Sequence, residues 1–179
     1  MKKTILASLI LMPLMACSGG SIKVVKDDFK NLTEVTWSID HGTDWTLNKL
    51  RINEGKYVKQ IINNKATVPY YTAKLYIYQG GSTISNEIIV KTKDKTATLP
   101  LVIENTQKNL EIMIGSGFAT AATSGTHKIR INFPQPLINE ILKSDLVSYR
   151  FYVNEQPVTI VINKSKLEKF KSFLSITSN

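Results

Sequence analysis

The side chains that could perform acid–base or metal chemistry are few, because this chain of 179 residues has two histidines and one cysteine. His41 lies in the run Asp40-His41-Gly42-Thr43-Asp44, which offers oxygen and nitrogen ligands. The run has neither the spacing of a zinc site nor the acidic density of a calcium loop. We interpret it as a solvated turn between strands. His127 shares the apolar face of an alternating segment, which predicts a histidine at the edge of the core.

Nucleophilic and phosphate-binding signatures are also missing from the sequence. The Gly-x-Ser-x-Gly turn of esterases does not occur. Gly115-Ser116-Gly117 lacks the Lys-Ser/Thr ending of a phosphate loop. Residues 115–126 are rich in Ala, Thr, Ser and Gly, which predicts a mobile connection that could carry a binding site. We therefore predict a protein that is not an enzyme and has no metal or other cofactor, with an envelope hydrolase as a third hypothesis.

The N-terminal segment has the features of an export signal. Met1-Lys2-Lys3 precedes a short apolar run from Ile5 to Leu14, and a Ser/Gly tract follows Cys17. A positive start, a short apolar run and a small-residue exit are typical of a secretory signal peptide. The run is too short for a helix that crosses a bilayer. We predict a signal peptide over residues 1–16 and an anchor cysteine with a flexible linker over 17–21.

The residues Leu14-Met15-Ala16-Cys17 resemble the lipobox of bacterial lipoproteins, with Met15 where a smaller residue is commoner. The resemblance implies that the Cys17 thiol receives a diacylglycerol, that the chain is cut before Cys17, and that the new amino terminus is often acylated. It implies a membrane-anchored protein of the bacterial cell envelope. Ser18 is not the Asp that favours inner-membrane retention in many such proteins, which favours the outer membrane. The periplasmic and the surface face both stay open.

The formal charge of +9 raises the question of an anionic partner. Arginine occurs only at positions 51, 130 and 150, and the lysines are scattered in runs of two at most. Proteins that read phosphate backbones cluster their positive charge. We therefore predict no nucleic-acid partner, while attraction to acidic lipid or polysaccharide remains an unspecific alternative.

Apolar side chains alternate with polar ones along most of the remaining chain, which is typical of half-buried antiparallel strands. The clearest segments are 71–77, 110–114, 127–133 and 147–153. We predict one mainly β domain over 22–179: an antiparallel β-sandwich or open barrel of about nine strands, with one or two short C-terminal helices. The first helix is predicted over Pro136 to Lys143. The second is predicted from Ser165, with Leu167, Phe170 and Leu174 packed over the sheet.

The aromatic side chains define the predicted binding surface. Tyr70, Tyr76 and Tyr78 fall on the face opposite Leu75 and Ile77. Trp37 and Trp45 flank the polar turn and complete the candidate set. An exposed aromatic strip would suit a protein or glycan partner; the alternative is that both faces are buried. The leading hypothesis is a lipid-anchored protein that binds another protein, and the second is a binder of a small ligand or glycan in a cavity between sheet and helices.

Overall fold

A computed structural model describes residues 20–41, 50–78, 83–115 and 118–177, and only the backbone over 111–122. Within these ranges the chain forms one antiparallel sheet, curled into an open half-barrel, and two helices near the C-terminus. The prediction of a mainly β fold with C-terminal helices is confirmed. Of the two predicted architectures, the open barrel is correct, since the described strands pair into a single sheet.

The strands are β1 (Ile22–Asp27), β2 (Leu32–Ile39), β3 (Leu50–Ile62), β4 (Lys65–Ala66), β5 (Tyr70–Tyr78), β6 (Glu87–Thr92), β7 (Thr96–Gly115), β8 (Phe118–Asn132), β9 (Val147–Val153) and β10 (Gln156–Ile162). The helices are α1 (Gln135–Lys143) and α2 (Lys164–Ser175), and a 3-10 turn spans Asp28–Lys30. The order across the sheet is β1-β2-β3-β5-β8-β7-β6-β9-β10, with the short β4 beside β3.

The core lies on the concave face of the sheet, under the two helices. Alternation places an apolar face of β2, β3 and each strand from β5 to β10 there, and α2 adds Phe170 between Trp37 and Tyr57. The Phe170 ring centre lies 5.9 Å from that of Trp37 and 4.4 Å from that of Tyr57. Burial of large aromatic rings gives the largest hydrophobic contribution per side chain. The predicted stripe of α2 is buried as expected, and Phe173 is buried with it.

Helix α2 begins one residue earlier than predicted, because a different side chain caps it. The side chain of Asn163 accepts a hydrogen bond from the Lys166 backbone N–H at 3.0 Å. Ser165, the predicted cap, lies inside the first turn. Asn is a preferred capping residue, and Asn163 directly follows the end of β10. Helix α1 starts close to its predicted position, with Pro134 as its first flanking residue.

The segment 115–126 is a strand from Phe118 onward, so the prediction of a mobile connection is wrong there. Its residues pair with β7, from Gly115↔Phe118 through Leu110↔Thr123 to Gln107↔Thr126. The small residues were interpreted as loop signals because of their composition. Pairing with a long neighbouring strand satisfies their backbone groups, and composition alone does not reveal such a partner.

A β-bulge interrupts β3 at Asn53-Glu54-Gly55. The register shifts between Asn53 and Lys56, and Glu54 has a positive φ of 54°. A side chain at Gly55 would lie 2.8 Å from the Ile39 carbonyl oxygen and 2.9 Å from the Tyr71 hydroxyl. The bulge therefore depends on glycine at position 55, where the sheet bends around the Tyr71 ring.

Candidate functional site

The convex face of β5 carries the three tyrosines of the predicted surface. Tyr71, Ala73, Leu75 and Ile77 of this strand are buried on the concave side, whereas Tyr70, Tyr76 and Tyr78 are half-buried on the other side. The alternative with both faces buried is therefore wrong for this strand. We define the tyrosine surface as the side chains of Tyr70, Tyr76, Tyr78, Arg51 and Arg130.

Two of the three arginines lie on the strands that flank β5. Arg130 of β8 is in register with Thr72, and its guanidinium carbon lies 3.8 Å from the centre of the Tyr70 ring. Its Nε donates a hydrogen bond to the Asn132 side chain at 3.2 Å. Arg51 of β3 is in register with Tyr76. Stacking of a guanidinium on an aromatic ring fixes both groups and is worth about 0.5–1 kcal/mol at an exposed site.

A cleft of about 520 Å³ lies beside the tyrosine surface, at the level of the bulge. Its lining includes Gly20, Ser38, Asp40, Glu54, Lys56, Thr72, Lys74 and Lys128. Two of the lysines have carboxylate partners: Lys74 bonds Glu54 at 2.8 Å and Lys128 bonds Glu104 at 2.7 Å. The volume is within the range of ligand sites, and the lining combines three lysines with the carboxylates of Asp40 and Glu54.

A second cleft of about 270 Å³ lies between the sheet and the two helices, where the sequence predicted a cavity for a small ligand. The ammonium group of Lys59 lies at this cleft and donates hydrogen bonds to the carbonyl oxygens of Leu174 at 2.8 Å and Ile176 at 2.5 Å. Burial lowers the pKa of Lys59. Lys59 thus satisfies carbonyls that the end of α2 leaves open, which is a structural role. The sequence contains a sign of this role that was missed: Lys59 alternates in phase with Tyr57 and Ile61, so it falls on the buried face of β3.

The two histidines have different surroundings from each other. His41 is mostly buried rather than solvated as predicted, and its ring meets the Tyr71 ring edge-on at 5.5 Å. The rest of the predicted turn, residues 42–44, lies outside the described residues. Burial lowers the pKa of His41 to about 4, with a smaller contribution from Lys166, so the ring is neutral at pH 7. Within the described residues, His41 Nε2 and the Tyr71 hydroxyl have no hydrogen-bond partner.

His127 lies at the edge of the core, as predicted, with its Nδ1 3.1 Å from the Thr106 hydroxyl. Burial lowers the pKa of His127, and nearby Lys108 contributes in the same direction. No group of three metal-ligating side chains lies together in the part of the chain that the structure describes. The described polar side chains therefore offer hydrogen bonds and positive charge rather than a metal centre.

Trp37 does not belong to the candidate surface. It is 0% exposed on the concave side, and its ring stacks on that of Tyr57 at 5.1 Å. The alternation of β2 decides this, because Val35, Trp37 and Ile39 share the buried face. Two other predicted residues, Cys17 and Trp45, lie outside the described residues.

No helix in the described ranges is long and apolar enough to cross a membrane. No family model, no curated protein and no solved structure matches this chain.

Proposed function

We propose that this chain is a lipid-anchored binding protein of the bacterial cell envelope, that it is not an enzyme, and that its partner is another protein. The motif Leu14-Met15-Ala16-Cys17 supports the anchor. The tyrosine surface supports the binding role. The lipid keeps the domain at the membrane, and the convex face of the sheet presents the tyrosine surface to a partner.

The observation that carries this proposal is the stacked pair of Arg130 and Tyr70 on one face with Tyr76 and Arg51. Tyrosine and arginine are the side chains that most often dominate binding energy at protein interfaces. Arg130 and Tyr70 are already stacked on each other, so these two side chains lose less entropy when a partner binds. The positive charge of the arginines and of the neighbouring lysines selects a partner with an acidic surface.

A second candidate function is the binding of an acidic glycan or small anion. The cleft of about 520 Å³ favours it, because Lys56, Lys74 and Lys128 all line this cleft beside the aromatic rings. Sugar rings stack on tyrosine, and lysine ammonium groups pair with carboxylate or phosphate substituents.

The tyrosine surface is tested by replacing Tyr76 with a photo-crosslinking amino acid in the cells that produce the protein. Tyr152 is the matched control, because it is also a tyrosine on the outward side of a strand but lies on β9, away from this surface. We expect a protein adduct from position 76 that is absent from position 152 and is lost in Arg130→Glu. An adduct with a glycan supports the second candidate, and equal labelling at both positions contradicts both.

The anchor is tested separately by cell fractionation of the wild type beside Cys17→Ala. We expect the wild type to remain with the membranes and the variant to be released from them. Membrane attachment of the variant would contradict lipidation at Cys17. Protease treatment of intact cells then distinguishes the two faces, since only a surface-exposed domain is cleaved before the envelope is broken.

A further inference from the structure

The longest strands of the sheet form an arm that extends beyond it. The arm consists of residues 109–115 of β7 and 118–123 of β8, which pair with each other. The neighbouring strand β5 pairs with β8 only as far as Tyr78↔Ser124, and β6 pairs with β7 only as far as Pro100. In the described structure the arm is therefore a two-stranded ribbon about 20 Å long with two free edges.

The composition of the arm is unsuited to an isolated ribbon in water. Glu111 is the one charged residue of the arm, and the stretch from Ile112 to Thr126 contains none, in a chain in which 21% of the residues are charged. The sequence alternates Leu110, Ile112 and Ile114 on one strand, and Leu110 is 66% exposed. A two-stranded ribbon is at best marginally stable in water. A further surface is therefore needed to stabilise the ribbon and to cover its apolar residues.

The position of the N-terminus indicates which surface this is. Strand β1 begins towards the end of the sheet where β2 ends, β3 begins and β5 ends, and the arm leaves the sheet in this same direction. The strands are staggered, since Ile22 stands, through Trp37 and Tyr57, at the level of Tyr71, seven residues before the base of the arm at Tyr78. Gly20 is held there, since its carbonyl accepts a hydrogen bond from Lys169 and a side chain at position 20 would collide with the Ser38 carbonyl. Cys17 precedes Gly20 by three residues, a reach of about 10 Å. A lipid on Cys17 would turn this end of the sheet towards the bilayer.

The side chains around the base of the arm fit the same surface. Lys108 is exposed at the base of the arm, in register with Gly125. Lys166 and Lys169 lie beside the start of β1 rather than at the arm, where they bond the carbonyl oxygens of Asp40 and Gly20. Tyr78 is the last residue of β5 and pairs with Ser124 directly below the arm. Lysines attract anionic headgroups, and tyrosine is enriched at the level where headgroups meet water.

We propose that the arm is a second membrane contact, which lies in the interface of the bilayer that holds the Cys17 lipid. This inference rests on the proposed anchor. The free edges exclude deeper insertion, because unpaired backbone N–H and C=O groups are not tolerated in hydrocarbon. At the interface, headgroups and water satisfy these edges while the apolar residues reach the acyl boundary, about 5–10 Å deep. Two contacts orient the sheet, whereas the lipid alone would let it rotate.

The arm is tested with the lipidated protein in vesicles of phosphatidylcholine and phosphatidylglycerol. Cys17 is the only cysteine and is blocked by its lipid in the mature protein, so Ala121→Cys introduces one thiol for a polarity-sensitive fluorophore. Thr159→Cys is the control, on the exposed side of β10. We expect the probe at position 121 to shift to shorter wavelength on vesicle binding and to lose iodide quenching several-fold, and the probe at 159 to change in neither respect.

Three other outcomes overturn the inference in distinguishable ways. If the protein floats with the vesicles but the probe at 121 stays as open to iodide as the probe at 159, the anchor stands and the arm fails. If the protein does not float at all, the anchor itself fails. If the probe at 121 is shielded without vesicles and the mass in solution doubles, the arm pairs with a second copy through its free edges instead.

Ile112→Lys supplies an independent variant, since a charge in the arm opposes contact with the acyl boundary. Circular dichroism and the melting temperature should stay unchanged, because the arm lies outside the core. We expect Cys17-anchored protein with this substitution to float as before, but with the probe at 121 open to iodide. Continued shielding of the probe in Ile112→Lys would contradict the membrane as the covering surface.

Discussion

Tyr70 and Tyr71 are neighbours in the sequence and have opposite roles in the protein. Tyr71 lies on the concave face, where its ring centre is 4.8 Å from that of Tyr57, itself 1% exposed. Tyr70 lies half-buried on the convex face, against the guanidinium group of Arg130. The two helices cover one face of the sheet and leave the other open. The comparison shows that the covering layer, not the residue type, separates tyrosines that stabilise the fold from tyrosines available to a partner.

The hydroxyl groups of the concave and the convex tyrosines also differ in their surroundings. Tyr57 donates a hydrogen bond to the Tyr149 hydroxyl at 3.1 Å inside the core, and burial raises the pKa of both groups. A buried hydroxyl must find a partner or lose its hydration without compensation. Tyr70 on the convex face keeps access to water, so its substitution should change stability little.

The largest difference between the faces is expected on removal of an aromatic ring. Trp37→Ala should lower the free energy of unfolding by about 3–5 kcal/mol, because it leaves a cavity between Tyr57 and Phe170. Tyr70→Ala, the matched change on the convex face, should lower it by less than about 1 kcal/mol. Urea denaturation of both variants measures the contrast. Similar losses in the two variants would contradict the assignment of one face as core and the other as open surface.

The next effect is a pH dependence that originates on the concave side. Because burial lowers the pKa of His41 to about 4 from an ordinary value of 6.5, the folded chain binds fewer protons than the unfolded chain between these values. Protonation therefore favours unfolding, and the free energy of unfolding should fall by about 2–3 kcal/mol from pH 7 to 4.5. Above pH 7, His41 should cause no further change in the free energy of unfolding.

His41→Gln is the control for this slope, since glutamine keeps polar atoms in the site but does not titrate. The remaining slope in His41→Gln should come from His127 and Glu140, whose pKa values are lowered in the same direction, by burial for His127 and by the hydrogen bond from Lys95 for Glu140. Urea denaturation at a series of pH values compares the two proteins. An unchanged slope in the variant would show that His41 is solvated in solution.

A smaller effect should come from the buried pair of hydroxyls. Tyr57→Phe and Tyr149→Phe should each lower the free energy of unfolding by about 1–3 kcal/mol, because each leaves the other hydroxyl unsatisfied. The double variant should lose clearly less than the sum of the two. Denaturation of the four proteins in a double-mutant cycle gives the coupling free energy. Additive losses would mean that the two hydroxyls do not bond to each other.

The smallest effect on stability belongs to the convex face. Arg130→Ala should change the free energy of unfolding by no more than about 1 kcal/mol, the range of an exposed cation–π contact. The same variant should lose most of the crosslinking from position 76. Arg150→Ala is the matched control, because Arg150 is exposed on β9, where its Nε donates to the Thr159 hydroxyl. Equal crosslinking in the two variants would remove Arg130 from the binding surface.

Strand alternation made most of the fold predictable. The alternating segment 147–153 was predicted as a strand and is β9, which pairs with β10. The apolar stripe of α2 was predicted from its spacing and is buried. These elements can be predicted from the sequence because each has one solvent-exposed polar face and one buried apolar face. Half of the arm was predicted, since 110–114 alternates. The other half, residues 118–123, was missed because its composition of small residues lacks this contrast, and the partner strand is needed to hold it extended.

The candidate site was predictable in part. The face shared by Tyr70, Tyr76 and Tyr78 follows from the alternation of β5, but the arginines beside them come from other strands. Trp37 was misplaced because proximity to a polar turn was given more weight than its position in the alternation of β2. The burial of His41 was missed because it depends on Tyr71, thirty residues further along the chain.

Sequence alone determined the strand periods, the helix spacings and the export motif, since these depend on residues that are close in the chain. Tertiary structure decided which face of the sheet is covered, that Arg130 stacks on Tyr70, and that the arm leaves the sheet at the end where the N-terminus enters. The physical reason is that the alternation of a strand divides its residues between two faces but does not determine which face another layer will cover. The choice is made when the apolar surfaces of α1 and α2 bury one of them.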